Sequence, residues 1–380
     1  MDFRLTEEQQ MVRDSAREFA DKHVAPGAAQ RDLDSAFPIE PFRAAAEYGF
    51  TGIIIPEEYD GAGLGSVELT LILMEVNRAC ASTGVTLSVH NSLCAAAIVN
   101  SGSPEVQQRF LPRLASGEAL GAYSLSEAGS GSDAAALACS AREDGDDLIL
   151  NGTKLWVTSA DHADIFVVFV RTSKEVKKSR GITCVVVEKG TPGFCVSKKE
   201  DKMGIRASST CELVFEDCRV PKANLLNEIG KGFPIAMQAL DGGRIGIAAQ
   251  AVGIARAALE AAVKYAKERQ AFGKPIARFQ AIQFKLAEMR TQIEAAELLT
   301  MRAAWLKDQG LPHSTEASMA KLAASTMSNS VAREAVQIHG GAGYLEDFPV
   351  ERYMRDARVT EIYEGTTEIQ KLVIARNVLA

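Results

Sequence analysis

The chain has 380 residues, 47% hydrophobic and 24% charged, proportions that place it among folded globular proteins and set disorder and coiled coil aside. Its 42 basic and 49 acidic residues leave a formal charge of −7, which argues against a general nucleic-acid binder with a basic face. Length alone predicts about two to three domains with a sizeable core.

The opening "MDFRLTEEQQMVRD" is charged and mixed, without the apolar centre of a signal peptide and too acidic for a typical transit sequence. Seven cysteines are scattered with no Cys-x-x-Cys, so reduced thiols and a cytoplasmic location are expected. Five histidines carry no His-x-x-x-His, so no metal site is expected. No stretch approaches about 18 uninterrupted apolar residues, so no membrane span is expected.

Thr6 followed by Gln9 has the pattern of a capping box, and Met11, Val12, Ala16, Phe19 and Ala20 recur at helical spacing until Pro26 stops them. Further helices are expected near 40–50, 66–80, 86–101 and 104–115, with the loop "PEEYDGAGLG" among them. Near residue 120 the texture changes to short β-branched runs such as "DIFVVFVRT", "GITCVVVEKG" and "CELVFEDCRVP". In "DDLILNGTKLWVTSA", Asn151-Gly152 reads as a hairpin turn. From about residue 226 long Ala-, Leu- and Glu-rich stretches predict antiparallel helices. The expected fold is a multi-domain α+β chain. It has an N-terminal α-helical domain (1–118), a middle antiparallel β domain (119–225) and a C-terminal antiparallel four-helix bundle (226–380).

Several local features carry chemistry, each with a plainer reading beside it. "YSLSEAGSGSDAAA" is either a Gly/Ser loop or a backbone able to approach a phosphate or a flat ring closely. Its Gly129-x-Gly131-x-x-Ala134 is a degenerate dinucleotide fingerprint without the strand–turn–helix context. Trp156 is either core packing or the wall of an aromatic cofactor. Asp241 and Arg244 read as a helix start, as a cap and a surface charge or as ligand contacts. Arg269, at a helix end, is either a dipole partner or a phosphate contact. "QIHGGAGY" has more glycines than a helix cap needs, and His339 reads as a packed histidine. Glu364 lies between Ile362-Tyr363 and Gly365-Thr366. It is either a turn residue or a base tuned by apolar neighbours.

Taken together, "YSLSEAGSGSDA", "NGTKLWVTSA", "DKMGIRASST…FEDCRVP", "LDGGRIGIAAQ", "RQAFGKPI", "QIHGGAGY" and "DARVTEIYEGTTEIQ" resemble the acyl-CoA dehydrogenase family, most of all its short-chain (butyryl-CoA) branch. The resemblance runs in order along essentially the whole chain. It implies the same helical, β and helical architecture and non-covalently bound FAD. Tyr123, Leu125, Ser126, Gly131 and Ser132 match the loop lining the flavin. Trp156, Val157 and Thr158 match the strand packed on its ring. Arg269, Phe272, Gln280, Gln337, Gly340, Gly341, Thr366 and Glu368 match positions holding the rest of FAD, partly across a subunit boundary. Ser132, Asp241, Arg244, Tyr363 and Gly365 match acyl-CoA contacts, and Glu364 matches the general base.

The implied reaction is α,β-dehydrogenation of an acyl-CoA thioester, with electrons passing to electron-transferring flavoprotein from a homotetramer built as a dimer of dimers. Some family members place the base in the helix beginning here "LDGGRIG"; the matching residue, Gly243, cannot act as one. The stretch matching the acyl-tail helix, "TGVTLSVHNSLCAAAI", has no Arg or Lys, which disfavours glutaryl-CoA. Its polar pair, His90 and Asn91, leaves tail choice open, with branched, cyclic or aromatic acyl-CoA as alternatives. A non-catalytic flavin- or acyl-CoA-binding protein is a remoter alternative, since such a protein usually loses the base or the flavin loop.

Overall fold

The structure, a computed structural model, describes residues 4–176 and 178–379. Helix α1 (Glu7–Phe19) starts at the expected capping box: the Thr6 hydroxyl accepts from the Gln9 N–H, and the Gln9 side chain accepts from the Thr6 N–H, both at 3.2 Å. It widens into a π turn over Ala20–Val24 before Pro26. Then come α2 (Ala28–Leu33), α3 (Ile39–Glu47) and α4 (Ser66–Ala79). Helices α5 (Ala81–Ser88) and α6 (Ala96–Ser101) are joined through a π turn, Val89–Ala95, into one rod buried from 81 to 98. Ser103 caps α7 (Pro104–Ala115).

His90 and Asn91 lie inside that rod, and each ties it to its surroundings. The His90 Nε2–H is shared between the carbonyls of Thr51 (3.0 Å) and Leu114 (3.2 Å), while Nδ1 accepts from the Gly121 N–H (3.0 Å). Both ring nitrogens are therefore used by one neutral tautomer. Burial pushes this imidazole down to about 4. The Asn91 amide donates to Phe50 O (3.0 Å) and Leu87 O (3.1 Å). Both side chains thus bond backbone groups of the helical domain and, at Gly121, of the first strand.

Strands β1 (Gly121–Ser124), β2 (Ser140–Asp144), β3 (Asp147–Thr158), β4 (Ile165–Arg171), β5 (Ile182–Glu188), β6 (Phe194–Lys199), β7 (Thr210–Pro221) and β8 (Leu225–Leu226) form one sheet in the order β6-β7-β3-β2-β4-β5-β8, with β1 on β4. The expectation of an antiparallel domain holds for most pairs, but β1 runs parallel to β4, and β2 meets β4 in parallel at Ser140 and Arg171. Strand β1 arrives from the N-terminal helices, and the β2–β3 hairpin separates it from β4 in the chain.

The expected hairpin turn at Asn151-Gly152 is a bulge inside β3 instead, with a register shift between Leu150 and Gly152. The actual turn lies between Asp144 and Asp147, around Gly145 at φ 61°. The bulge has its own supports. The Asn151 side chain exchanges hydrogen bonds with Asp217 (3.0 and 2.9 Å), and a Cβ at Gly152 would stand 2.8 Å from the Cys139 Cα.

The C-terminal part holds α8 (Gly232–Glu268), the short pair β9 (Gln270–Ala271) and β10 (Lys274–Pro275), α9 (Gln280–Asp308), α10 (Ser314–His339), α11 (Val350–Arg358) and α12 (Thr367–Val378). Asp241 and Arg244 lie well inside α8, not at its start as the glycine pair implied. Two stretches, Ala81–Ser101 and Gly232–Glu268, are in fact long and apolar enough to cross a membrane, but 94% and 78% of their apolar windows are buried in the fold. They are core rods, and α8 packs against both α4 and α10.

Candidate active site

Between α11 and α12 the chain must reverse within a few residues. A 3₁₀ turn, Val359–Glu361, follows α11, and Thr366 caps α12 by accepting from the Ile369 N–H (3.4 Å). The reversal falls on Glu364 (φ 51°) and Gly365 (φ 95°). Glycine takes that region freely. A glutamate there costs roughly 1–3 kcal/mol and persists only where its surroundings hold it.

Those surroundings are specific. The Gly365 carbonyl accepts from Lys321 Nζ (2.5 Å) and from Gln370 Nε2 (2.8 Å). The Tyr363 hydroxyl donates to Gln250 Oε1, whose amide donates to Ala81 O (3.1 Å). The Glu364 side chain is thereby set against α8. A Cβ placed on Gly243 would lie 2.0 Å from Glu364 Oε2 and 2.8 Å from Leu93 Cδ2. Gly243 and Glu364 thus compete for one volume, and glycine leaves it to the carboxylate.

Glu364 Oε2 is buried and has no hydrogen-bond partner among the described residues. Burial pushes this carboxyl up to about 7, against the opposing pull of Lys321 and Arg244. Arg244 is itself buried and held by Asp241 (2.5 Å), which also accepts from the Ser314 hydroxyl (2.9 Å). Burial also raises the Tyr363 and Tyr123 phenols. The Glu364 N–H has no acceptor among the described residues. A carboxylate and an N–H, both unpartnered, on one strained residue make a site able to take a proton and to donate a hydrogen bond from the same turn.

The other expected residues fall into two groups. Tyr123, Leu125, Ser126, Gly131 and Ser132 sit on β1 and the loop after it, and Trp156, Val157 and Thr158 on β3. That loop is anchored from beneath. Buried Lys154 donates to Glu127 (2.7 Å) and to Leu125 O (3.0 Å), while Glu127 accepts from the Ala138 (2.6 Å) and Cys139 (3.0 Å) N–H groups. Trp156 does not pack in the core. At φ 58°, on a bulge between Lys154 and Val157, it is 56% exposed.

Arg269, Phe272, Gln280, Gln337, Gly340 and Gly341 are exposed at the far ends of α8 and α10 and the start of α9. At about 1.5 Å per residue, Arg269 lies roughly 37 Å along α8 from Arg244, and Gln337 about 24 Å along α10 from Lys321. One copy of the chain does not bring these residues to Glu364. Phe272 is 95% exposed, at φ 49°, with its ring edge-on to Phe279 at 5.9 Å between centroids. Glu368 is exposed in the first turn of α12. His339 is packed, stacking on Tyr265 with ring centroids 4.2 Å apart and donating to Ala335 O (2.8 Å). Among the described residues no cluster of three or more His, Cys, Asp or Glu could hold a metal ion.

A flavin fits what is present. The large ring of Trp156 is turned outward beside Thr158, and a Cβ on Gly129 or Gly131 would meet nothing within 4 Å. The adjoining loop backbone is thus open to close approach.

Comparison with known proteins agrees along the whole chain. Profiles of the acyl-CoA dehydrogenase N-terminal, middle and C-terminal domains match residues 6–118, 122–218 and 230–379. The chain belongs to the acyl-CoA dehydrogenase family. It is 51% identical to the mitochondrial short-chain specific acyl-CoA dehydrogenase of Mus musculus over 99% of this chain and 91% of that one. Butyryl-CoA dehydrogenase from Megasphaera elsdenii superposes with a TM-score of 0.98 at 46% identity, with both chains fully covered. A chain solved in work on the electron transferring flavoprotein of Acidaminococcus fermentans superposes equally well, TM-score 0.98 at 49% identity, again over both whole chains.

Within this acyl-CoA dehydrogenase, sequence reading missed Lys321, Gln250 and Gln370, all buried beside the turn. One signal was available for Lys321. It falls at helical spacing among Ala317, Ser318, Ala320, Ala324, Ser325 and Ser328, a face of small residues that is buried throughout. A lone lysine in such a stripe is paired or functional.

Proposed function

We propose that this acyl-CoA dehydrogenase oxidises a short-chain, butyryl-CoA-like thioester to the trans-2-enoyl-CoA, with Glu364 as the base that removes the α-proton. The observation that carries this reading is the buried, unpartnered Glu364 Oε2 against Gly243. A base works best with a pKa near the operating pH, and this carboxyl is pushed up to about 7. The Glu364 N–H donates to the thioester oxygen as negative charge develops there, and one such donor is worth about 3–4 kcal/mol. Burial strengthens both effects by excluding water from the turn.

FAD, when bound, supplies the acceptor for the β-hydrogen as a hydride, so that loss of the proton and the hydride leaves the carbon–carbon double bond. Tyr123, Leu125, Ser126, Gly131, Ser132, Trp156, Val157 and Thr158 would hold its flavin end, with Thr366 and Glu368 near the substrate turn. Arg269, Phe272, Gln280, Gln337, Gly340 and Gly341 would hold the rest in a neighbouring copy. Their distance from Glu364 in one chain supports a homo-oligomer, and a dimer of dimers satisfies it. Ser132, Asp241, Arg244, Tyr363 and Gly365 would face the acyl-CoA, Asp241 acting through Arg244. The electrons leave to electron-transferring flavoprotein. Seven free thiols, six of them buried, support a reducing cytoplasm as the place of action.

The test is anaerobic mixing of the FAD-loaded protein with butyryl-CoA. The flavin absorbance should bleach, and Glu364→Gln should bind both ligands without bleaching. Near-normal turnover of that variant would sink the base assignment. A rate that rises steadily from C4 to C16 acyl-CoA would sink the short-chain assignment.

A further inference from the structure

We propose that Lys321 is a positioning residue for proton transfer: its ammonium grips the Gly365 carbonyl, holds the left-handed Glu364–Gly365 turn against Gly243, and supplies the positive charge that keeps the Glu364 carboxylate ready to accept a proton. The proposal rests on Glu364 being the base.

Lysine is almost never fully buried unless paired. Lys321 has no exposed surface, and its amine donates to the Gly365 carbonyl, not to a carboxylate. It therefore holds its counter-charge at one remove, through the backbone of the turn that carries it. Gln370 grips the same carbonyl (2.8 Å) without charge. Two donors on one oxygen are redundant for shape, so the ammonium must contribute something the amide does not. That contribution is electrostatic.

The charged and titratable groups facing Glu364 are few. Lys321 comes from α10, Arg244 from α8 with Asp241 behind it, Tyr123 from β1, and Tyr363 from the turn itself. Glu361 and Glu368 face Lys321 from the other side. Apolar Leu93 adjoins the same Gly243 that faces the carboxylate. Of the two cations, Arg244 is already bound to Asp241, whereas Lys321 has no ion pair among the described residues. Burial pulls the Lys321 amine down to about 8, and Glu364 is the foremost charge holding it up. Lys321 is likewise the foremost charge holding Glu364 down.

The experiment compares FAD-loaded wild type, Lys321→Met and Gln370→Met in the pH dependence of kcat and kcat/KM for butyryl-CoA. Lys321→Met should move the acid limb of both profiles alkaline by at least about one unit, the effect of one nearby opposite charge. It should lose about fivefold or more at the wild-type midpoint, approach wild type at high pH, and show little change in KM. Gln370→Met, which removes the uncharged donor, should leave the limb unmoved. An infrared titration of the Glu364 carboxyl, identified by its absence in Glu364→Gln, should shift with Lys321→Met by the same amount, independently of turnover. If Lys321→Met loses its fold, Lys321→Gln and Lys321→Arg give the same contrast: the limb moves for glutamine and stays for arginine. An unmoved limb and an unmoved carboxyl in a folded neutral variant overturn the proposal and leave the base assignment intact. Turnover by Glu364→Gln overturns the base assignment instead.

Discussion

Among the described residues two lysines, Lys154 and Lys321, are fully buried, and each answers a glutamate in an opposite way. Under the loop after β1, Lys154 meets Glu127 directly at 2.7 Å, and each Glu127 oxygen also takes a backbone N–H. In the α11–α12 turn, Lys321 donates to a backbone carbonyl, and Glu364 Oε2 has no hydrogen-bond partner among the described residues. The first arrangement fixes a charge in place. The second leaves a carboxyl that exchanges its proton near neutrality, at about 7. A buried ion pair with both carboxylate oxygens hydrogen-bonded is scaffold, and a buried carboxylate oxygen left without a donor is a reactant.

The sharpest way to break this contrast is Glu364→Gln, which should cost turnover about 10²–10⁴-fold, the usual range for a general base, in a stopped-flow flavin assay. Glu127→Gln should instead act on the fold. Removing one partner of a buried pair destabilises by about 3–5 kcal/mol, so denaturant unfolding should show the loss. A Glu127→Gln protein with full stability and impaired proton transfer would erase the distinction between the two sites.

Acid should separate a third buried group from these. The His90 imidazole is lowered to about 4 from its ordinary 6.5. A depressed folded value means that its contribution is complete above pH 6.5 and is lost as pH falls towards 4, up to about 3 kcal/mol. His90→Gln should flatten that part of the stability profile. The opposite sign belongs to Glu364. Its folded value of about 7 lies above the ordinary 4.5, so its contribution is present below pH 4.5 and lost as pH rises through 7. Glu364→Gln should therefore unfold later than wild type at pH 8, by up to about 3 kcal/mol, and equally at pH 4. An active-site substitution that stabilises is what a strained, under-bonded carboxylate requires.

What was legible in the sequence follows the range of the physics involved. The Thr6–Gln9 capping box is local, and it formed as read. The apolar neighbours of Glu364 pointed to a tuned carboxyl, but its role came from resemblance, since turn residues share that texture. Asn151-Gly152 carries hairpin chemistry that serves a bulge equally well, and the choice was made by Asp217 and Cys139, both remote in sequence. Lys321 was missed because its burial is a property of helix packing. His90 and Asn91 looked like tail-facing polar groups because nothing in a sequence shows which carbonyls will surround a ring.

The smallest expected effect tests the loop side of the comparison. Trp156 is 56% exposed and sits at φ 58°, so the chain's own fold gains little from its ring and bears the strain of a left-handed non-glycine residue. Trp156→Gly relieves that strain, worth about 1 kcal/mol or more, and gives up the part of the ring that the fold covers, so the two effects oppose each other. The FAD-free variant should therefore unfold within a few degrees of the wild-type temperature. If the ring is there for the flavin, the same variant should hold FAD more weakly in equilibrium dialysis. A clear loss of stability without FAD would return Trp156 to the core, and the outward-facing residues of β3 would then have no more to do with a ligand than Lys154 beneath them.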